Sequence, residues 1–266
     1  MKVLLLIGDH LRHFHLAKKL ENEDMLAGLV IEERNTMIPE PPKEIDLELR
    51  ELFVKHFQGR LDAEERFFGQ GGAMELNTPK ITITRQELNG IKVLEFIKNT
   101  PHDVAISYGV HFLKSDILNE LSDIKWNIHG GLSPWYRGCI TLFWPSYMLE
   151  PQMTGMTIHE LTNALDGGPI VHHSVPVLKR GDGIHDLACR AVCTVACDLV
   201  QILRLYEQGK LEPSRKQKSS GKLWIEQDWR PDHLLLIYKY FNNRIVDAYL
   251  DGKIKGRIPR LVKQPI

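Results

Sequence analysis

The chain has 266 residues, enough for one large domain with a smaller appendage, and its 43% hydrophobic and 26% charged residues describe an ordinary globular protein. Lys plus Arg equals Asp plus Glu at 34 each, so there is no bulk charge suited to coating a nucleic acid. No apolar run reaches the length of a membrane span, the opening residues do not form a signal peptide, and the four cysteines lack framework spacing, so a cytoplasmic protein with reduced thiols is expected.

Val3 to Ile7 is a continuous apolar run closed by Gly8-Asp9 and reads as the first buried strand of a parallel sheet. The turn after it carries no Gly-x-Gly-x-x-Gly, which argues against a dinucleotide-binding dehydrogenase. Instead His10, Arg12, His13 and His15 follow. These histidines lie either at a substrate pocket outside the strand's carboxyl end or on the surface of a helix start. No acidic or Cys partner at helical spacing supports a metal. A helix is expected over 14–21, a second strand over 25–31, a break at Ile38-Pro39-Glu40-Pro41-Pro42, and one or two amphipathic helices over 45–68. Helical segments around 93–97 and 117–121 flank a short core strand at 104–107. Strand and helix alternate, the pattern of a Rossmann-like α/β domain: a mostly parallel sheet flanked by helices.

The densest chemistry lies in Trp126-Asn127-Ile128-His129-Gly130-Gly131-Leu132-Ser133-Pro134-Trp135-Tyr136-Arg137-Gly138. If Trp126 to His129 is extended, Asn127 and His129 point to one side, because side chains alternate along a strand. An amide able to donate to an oxyanion then sits beside a ring able to take a proton. A second run, Thr154-Gly155-Met156-Thr157-Ile158-His159, is closed by Asp166-Gly167-Gly168-Pro169-Ile170, with Asp166 placed 37 residues after His129. Further on, a strand over 171–177 sets the adjacent His172 and His173 on opposite faces, both in structural roles. A helix over 183–205 carries Cys189, Cys193 and Cys197 every four residues as small packing residues. From Leu205 to Ile266 there are 13 basic and 7 acidic residues, and Arg215, Lys216, Lys218 and Lys222 surround Ser219-Ser220-Gly221 in what reads as an exposed linker. Residues 1–208 are expected to form the catalytic domain and 209–266 a small C-terminal subdomain.

The two motifs resemble the formyltransferases that use 10-formyltetrahydrofolate: the glycinamide ribonucleotide, methionyl-tRNA and amino-sugar enzymes. That family shows Asn-x-His-x-Ser-x-x-Pro-x-x-x-Gly, then a few tens of residues on Asp-x-Gly-Pro-Ile. The match runs roughly from Val3 to Leu203, with one departure, Gly131 in place of the family's Ser. The resemblance implies that Asn127, His129 and Asp166 are catalytic, that 10-formyltetrahydrofolate is the co-substrate, and that no metal is needed. It further implies that the loop with Tyr108, Val110, Phe112 and Leu113 holds the pterin ring, while Leu165 and Gly167 close its other edge. His10, Trp135, Tyr136 and Arg137 are the candidates for the acceptor side. Trp224 and Trp229 offer further aromatic faces, for stacking or for packing. An amino sugar, nucleotide-linked, is the expected acceptor, since the tyrosine-containing loop resembles that branch; a homodimer is compatible with this, and no nucleic-acid or membrane partner is expected. Three alternatives stay open: a methionyl-tRNA formyltransferase using the basic C-terminal segment, a formyltetrahydrofolate hydrolase, and a folate-sensing module without catalysis.

Overall fold

The computed structural model describes residues 1–33, 38–162, 166–218 and 221–266. The expected α/β alternation is present. Strands β1 (Val3–Gly8), β2 (Leu26–Glu32), β3 (Lys80–Ile83), β4 (Val104–Tyr108) and β5 (Ile124–His129) are connected through helices α1 (Leu11–Asn22), α2 (Leu47–Phe68), α3 (Ile91–Lys98) and α4 (Ser115–Glu120). Strands β7 (Met156–Glu160) and β8 (Ile170–Ser174) complete a seven-stranded sheet in the order β3-β2-β1-β4-β5-β7-β8. The first five strands are parallel, whereas β7 runs antiparallel to β5 and β8 antiparallel to β7. The short strand β6 (Tyr136–Gly138), helix α5 (Trp144–Tyr147), helix α6 (Ile184–Glu207), strand β9 (Lys222–Trp224) and helix α7 (Ile245–Leu250) build the rest.

Strand parity divides the core. Val3, Leu5, Ile7, Ile106, Tyr108 and Ile128 face α1 and α6, whose inner sides supply Leu16, Leu20, Val192, Val195 and Leu199. Leu4, Leu6, Ala105, Val93, Ile97 and Ile117 form the opposite layer with α3 and α4. Fully burying a side chain of this size stabilises the fold by roughly 1.5–3 kcal/mol, so both layers are strongly fixed, and with them the facing of every polar residue on β4 and β5. Arg12 and the buried Glu64 tie α1 to α2. The three cysteines of α6 do not all face inward: Cys189 is buried, Cys193 half-buried and Cys197 exposed. A four-residue repeat drifts around a helix of 3.6 residues per turn, so the third member leaves the core.

Residues 209–266 share a core with what precedes them. Trp224, Leu234, Ile237, Tyr238 and Ile245 pack with Phe53, Tyr136, Phe143, Trp144 and Ile184 in one apolar cluster. The same segment covers the edge of β8, where an open row of backbone groups invites aggregation. Ile170 and Arg215 exchange both backbone hydrogen bonds at 2.8 Å. Farther along, the His173 N–H donates to the Val262 carbonyl, and the amide of Gln264 both accepts from the Glu212 N–H and donates to the Glu212 carbonyl.

His172 and His173 serve this edge. The Val262 N–H donates to His173 Nδ1 at 2.9 Å, so the ring proton must sit on Nε2, which donates to the Ser133 carbonyl at 2.8 Å. A second ring proton would face a backbone N–H, and burial, with His172 and Lys263 nearby and against the pull of the Ser133 carbonyl, holds His173 down to about 4. His185 is likewise lowered to about 4 by burial and by Arg60, and burial lowers His56. A histidine depressed in the folded state protonates more readily once unfolded, so its contribution is intact above about pH 6.5 and is lost as pH falls toward 4. The shift at His173 corresponds to about 3 kcal/mol. Thermal unfolding followed from pH 7.5 to 4 is therefore expected to show falling stability below pH 6.5. His173→Gln, which keeps one donor and one acceptor but cannot titrate, should flatten that fall by up to about 3 kcal/mol; an unchanged slope would show that His173 is not a buried, neutral ring in the folded protein.

Candidate active site

The site lies at the carboxyl ends of β4 and β5, where open α/β sheets generally bind ligands. Ser107, Asn127 and His159 are directly opposed across β4, β5 and β7, and therefore form one polar row on the face shared with α3 and α4. Ser107 Oγ donates to Asn127 Oδ1 at 2.8 Å. Asn127 Nδ2 donates to His159 Nε2 at 3.1 Å, while His159 Nδ1 donates to the Glu160 carbonyl at 2.9 Å. These bonds fix which end of the Asn127 amide is nitrogen and, among the described residues, leave one of its N–H groups unassigned.

His129 is two residues along the same face of β5. Its Nε2 is 2.9 Å from the Tyr136 carbonyl, an acceptor only, so Nε2 carries the proton and Nδ1 the lone pair. Nδ1 lies 3.5 Å from Asp166 Oδ1. The other oxygen, Asp166 Oδ2, accepts from the Gly138 N–H at 2.8 Å, and His159 Nε2 is 3.8 Å from Oδ1. Asn127, His129 and Asp166 thus converge, although Asp166 comes from a separate loop.

The electrostatics follow from burial. Desolvation lowers His129 below its ordinary value; Asp166 pulls it back up in part, and His159 and Arg137 press it down. The carboxylate raises the imidazole, but burial outweighs it. For Asp166, burial works against ionisation, and His129, His159 and the Gly138 N–H overcome it, holding the carboxyl at about 2. Near neutral pH the pair is a free base beside an anion, ready to accept a proton at Nδ1.

A cleft of about 100 Å³ opens beside Asn127 and Asp166, lined by Ser107, Val110, His111, Phe112, Leu113, Asn127, His159, Leu161, Thr162 and Asp166; His129 is buried and is not part of this lining. Sites that bury a whole ligand enclose roughly 300–1,000 Å³, so this cleft has room for only part of a ligand of that size. Val110, Phe112 and Leu113 are where the sequence put them, and Phe112 is largely exposed there. Tyr108 does not line the cleft: it is one residue out of phase with Ser107 and packs on the opposite face against the His13 ring, 4.5 Å away. Gly167 follows Asp166 without lining the cleft, and Leu165 falls outside the described residues. His111 gives its backbone N–H and its ring Nδ1 to the wholly buried Glu32, which turns the ring into the cleft wall. A larger groove of about 420 Å³ lies at the other end of β5, lined by Ile124, Trp126, Tyr206, Leu211 and Pro213 among others. It holds no imidazole to move a proton, so the smaller cleft is the better candidate.

The acceptor-side expectations fare unevenly. His10 caps α1 with its ring 5.6 Å from that of His13, at the end of β1 and outside the cleft lining. The Tyr136 ring is buried among Trp144, Trp224 and Ile184 with its hydroxyl on Glu150, so only its carbonyl serves the site. Trp135 lies half-buried with its ring 5.9 Å from that of His173. Arg137 is close enough to act on His129, and its buried Nε has no partner among the described residues. Trp224 is stacked on Trp144 at 4.0 Å and Trp229 packs with Phe53 and Phe57, so both are packing residues. The role of His159 could not be read from the sequence, because it depends on the antiparallel register that opposes it to Asn127.

Among the described residues no group of three His, Cys, Asp or Glu side chains is placed to hold a metal ion, and no helix is long and apolar enough to cross a membrane.

No protein-family model matches the chain. Methionyl-tRNA formyltransferase from Anaeromyxobacter sp. (strain K) is 30% identical over 120 residues, which span 45% of this chain and only 38% of that relative. A sugar N-formyltransferase structure from Shewanella sp. FDAARGOS_354 superimposes with a TM-score of 0.55 at 16% identity, covering 89% of this chain and 87% of that one. The formyltransferase PseJ from Anoxybacillus kamchatkensis, in complex with UDP-4,6-dideoxy-4-formamido-L-AltNAc and tetrahydrofolate, gives 0.51 at 17% identity over 91% and 95% of the two chains. The fold is that of the formyltransferases, and the resemblance read from the two motifs is borne out.

The Gly131 departure has a local cause. A Cβ at Gly131 would lie 2.6 Å from the Tyr136 carbonyl oxygen, 2.8 Å from His129 Nε2 and 2.8 Å from Thr141 Cβ. Restoring the family residue with Gly131→Ser is expected to destabilise the protein by about 1–3 kcal/mol in urea unfolding and to slow turnover by displacing the His129 acceptor. Unchanged stability and rate would show that Tyr136 and Thr141 can move aside.

Proposed function

We propose that this protein transfers the formyl group of 10-formyltetrahydrofolate to the amine of a nucleotide-linked amino sugar. The observation that carries the reading is that Asn127 and an ionised Asp166 line one cleft walled by Val110, Phe112 and Leu113, with the buried His129 holding its Nδ1 lone pair 3.5 Å from the Asp166 carboxylate.

The amine nitrogen attacks the formyl carbon, the carbonyl π pair moves to oxygen, and a tetrahedral intermediate forms. Asn127 Nδ2 donates its remaining hydrogen to that oxyanion, a contact whose loss elsewhere slows turnover by roughly 10²–10³-fold. The attacking nitrogen becomes positive and gives a proton to His129 Nδ1. The new imidazolium N–H faces Asp166, whose negative charge stabilises it in a site that excludes water. Collapse of the intermediate re-forms the carbonyl and breaks the bond to N10 of the folate. The proton from His129 goes to N10, which leaves as tetrahydrofolate.

The folate donor is supported by the fold and by PseJ, a formyltransferase solved with tetrahydrofolate. The amino-sugar acceptor is supported by structural neighbours named as sugar N-formyltransferases, and the nucleotide by the UDP sugar bound to PseJ. A methionyl-tRNA acceptor is the second reading, favoured by the sequence relative of that name.

Incubation with 10-formyltetrahydrofolate and a panel of UDP- and dTDP-linked amino sugars, with charged initiator tRNA and water-only controls, tests the assignment. Formylated sugar is the expected product. Formylation of the tRNA alone would move the acceptor to RNA, and amine-independent release of formate would make the protein a hydrolase. His129→Ala and Asp166→Ala should each reduce turnover by about 10²–10⁴-fold while tetrahydrofolate binding, measured by calorimetry, is retained; full activity in either folded variant would refute the proton-transfer roles of the pair.

A further inference from the structure

We propose that Gln217, from the C-terminal segment, is the positioning residue that aims the Asp166 carboxylate at His129. The inference rests on the catalytic roles of His129 and Asp166 under the proposed function and adds a residue that the two sequence motifs do not contain.

Asp166 is held in the left-handed region at φ 46°, where a residue with a Cβ is disfavoured unless its surroundings impose it. Among the described residues its side chain meets the Gly138 N–H and two imidazoles, and 3.5 Å separates it from His129 Nδ1. A backbone rotation of a few tens of degrees would swing the carboxylate away. Among the described residues one atom restrains the main chain of this turn from the C-terminal segment: Gln217 Nε2 donates to the Asp166 carbonyl at 2.8 Å and to the Gly168 carbonyl at 2.9 Å. Both hydrogens of the amide are used, and both acceptors belong to the turn that carries Asp166.

Gln217 is itself delivered rigidly. Two residues earlier, Arg215 exchanges two backbone hydrogen bonds with Ile170 at 2.8 Å, and Ser214 Oγ donates to Glu160. The Gly168 end of the turn is pressed so close to β7 that a Cβ there would lie 1.9 Å from the Glu160 carbonyl oxygen. One clamp therefore links the edge strand, the end of β7 and the Asp166 turn. The remaining oxygen, Gln217 Oε1, is buried with no partner among the described residues. What the amide contributes to the turn is therefore the paired donation, made by one end of the side chain while the other is left unmet among the described residues.

The test compares Gln217→Met, which keeps length and burial without N–H donors, with Gln217→Glu, which keeps the shape but sets an acceptor against two carbonyls. Kinetics of formyl transfer and ¹⁵N-detected titration of His129 are measured on folded protein, with Asp166→Asn as reference. We expect kcat to fall about 10- to 100-fold, as misplacement of a catalytic group by about 1 Å can do, with KM for the folate within about twofold. The His129 midpoint should move downward, toward its position in Asp166→Asn, because the carboxylate that raises it has turned away while Arg137 and His159 still face the ring. Wild-type kcat and an unshifted His129 midpoint in either folded variant would overturn the proposal. If the wild-type protein forms no formylated product at all, the functional reading fails, and the titration still decides whether Gln217 aims Asp166.

Discussion

A basic imidazole and an ionised carboxylate share a pocket from which water is largely removed, and most of the architecture around them follows from that constraint. Buried charge is tolerated only where fixed dipoles replace the lost water. In this protein one short loop supplies both compensations: the Tyr136 carbonyl takes the His129 Nε2 proton, and the Gly138 N–H binds Asp166. Those two backbone groups belong to β6, a strand of three residues that gains its regularity by pairing with β9 from the C-terminal segment. The apolar cluster of Tyr136, Trp144 and Trp224 beneath it keeps the carbonyl and the amide aimed. The geometry of the His129–Asp166 pair is thus set by packing some distance from it.

The departure from an all-parallel sheet serves the same end. An antiparallel β7 brings His159 opposite Asn127, and Leu161, Thr162 and Asp166, which follow β7 in the sequence, line the same cleft. The cleft is therefore bounded on one side by the loop after β4 and on the other by the turn after β7. The partners in the row Ser107–Asn127–His159 are chosen by strand register, which leaves one Asn127 hydrogen unassigned among the described residues. Preorganisation of this kind is effective because the dipoles need not reorient during reaction.

Much of this could be read from the amino-acid sequence, and the parts that could not share a cause. The buried strands β1, β2 and β4 and the long helix α6 announce themselves as apolar runs or amphipathic periodicity, and Asn127, His129 and Asp166 through motif spacing. Strand β3, Lys-Ile-Thr-Ile at the sheet edge, buries only its last residue and gives too weak a pattern. Strand β7 has Thr and His at alternate positions where a core strand would be apolar, since its polar side faces the site. The rings of Tyr108 and Tyr136 turn away from the cleft, because proximity in sequence says nothing of which face a side chain takes. Gln217, in a stretch of lysines and serines, has the composition of a solvated linker; only its tertiary neighbours reveal its use. His172 and His173 did prove structural, and the reason lies in the chain crossing β8 from about 90 residues away, which no local pattern encodes.

The central claim is that the cleft beside Asn127, His129 and Asp166, and not the larger groove by Trp126 and Tyr206, receives the folate. A crystal structure of the protein with 5-formyltetrahydrofolate tests it most directly. The pterin should lie between the 110–113 loop and the Asp166 turn, with the reacting end of the folate toward Asn127 Nδ2 and His129 Nδ1. Folate seated in the larger groove, or bound with its reacting end away from Asn127, would contradict it.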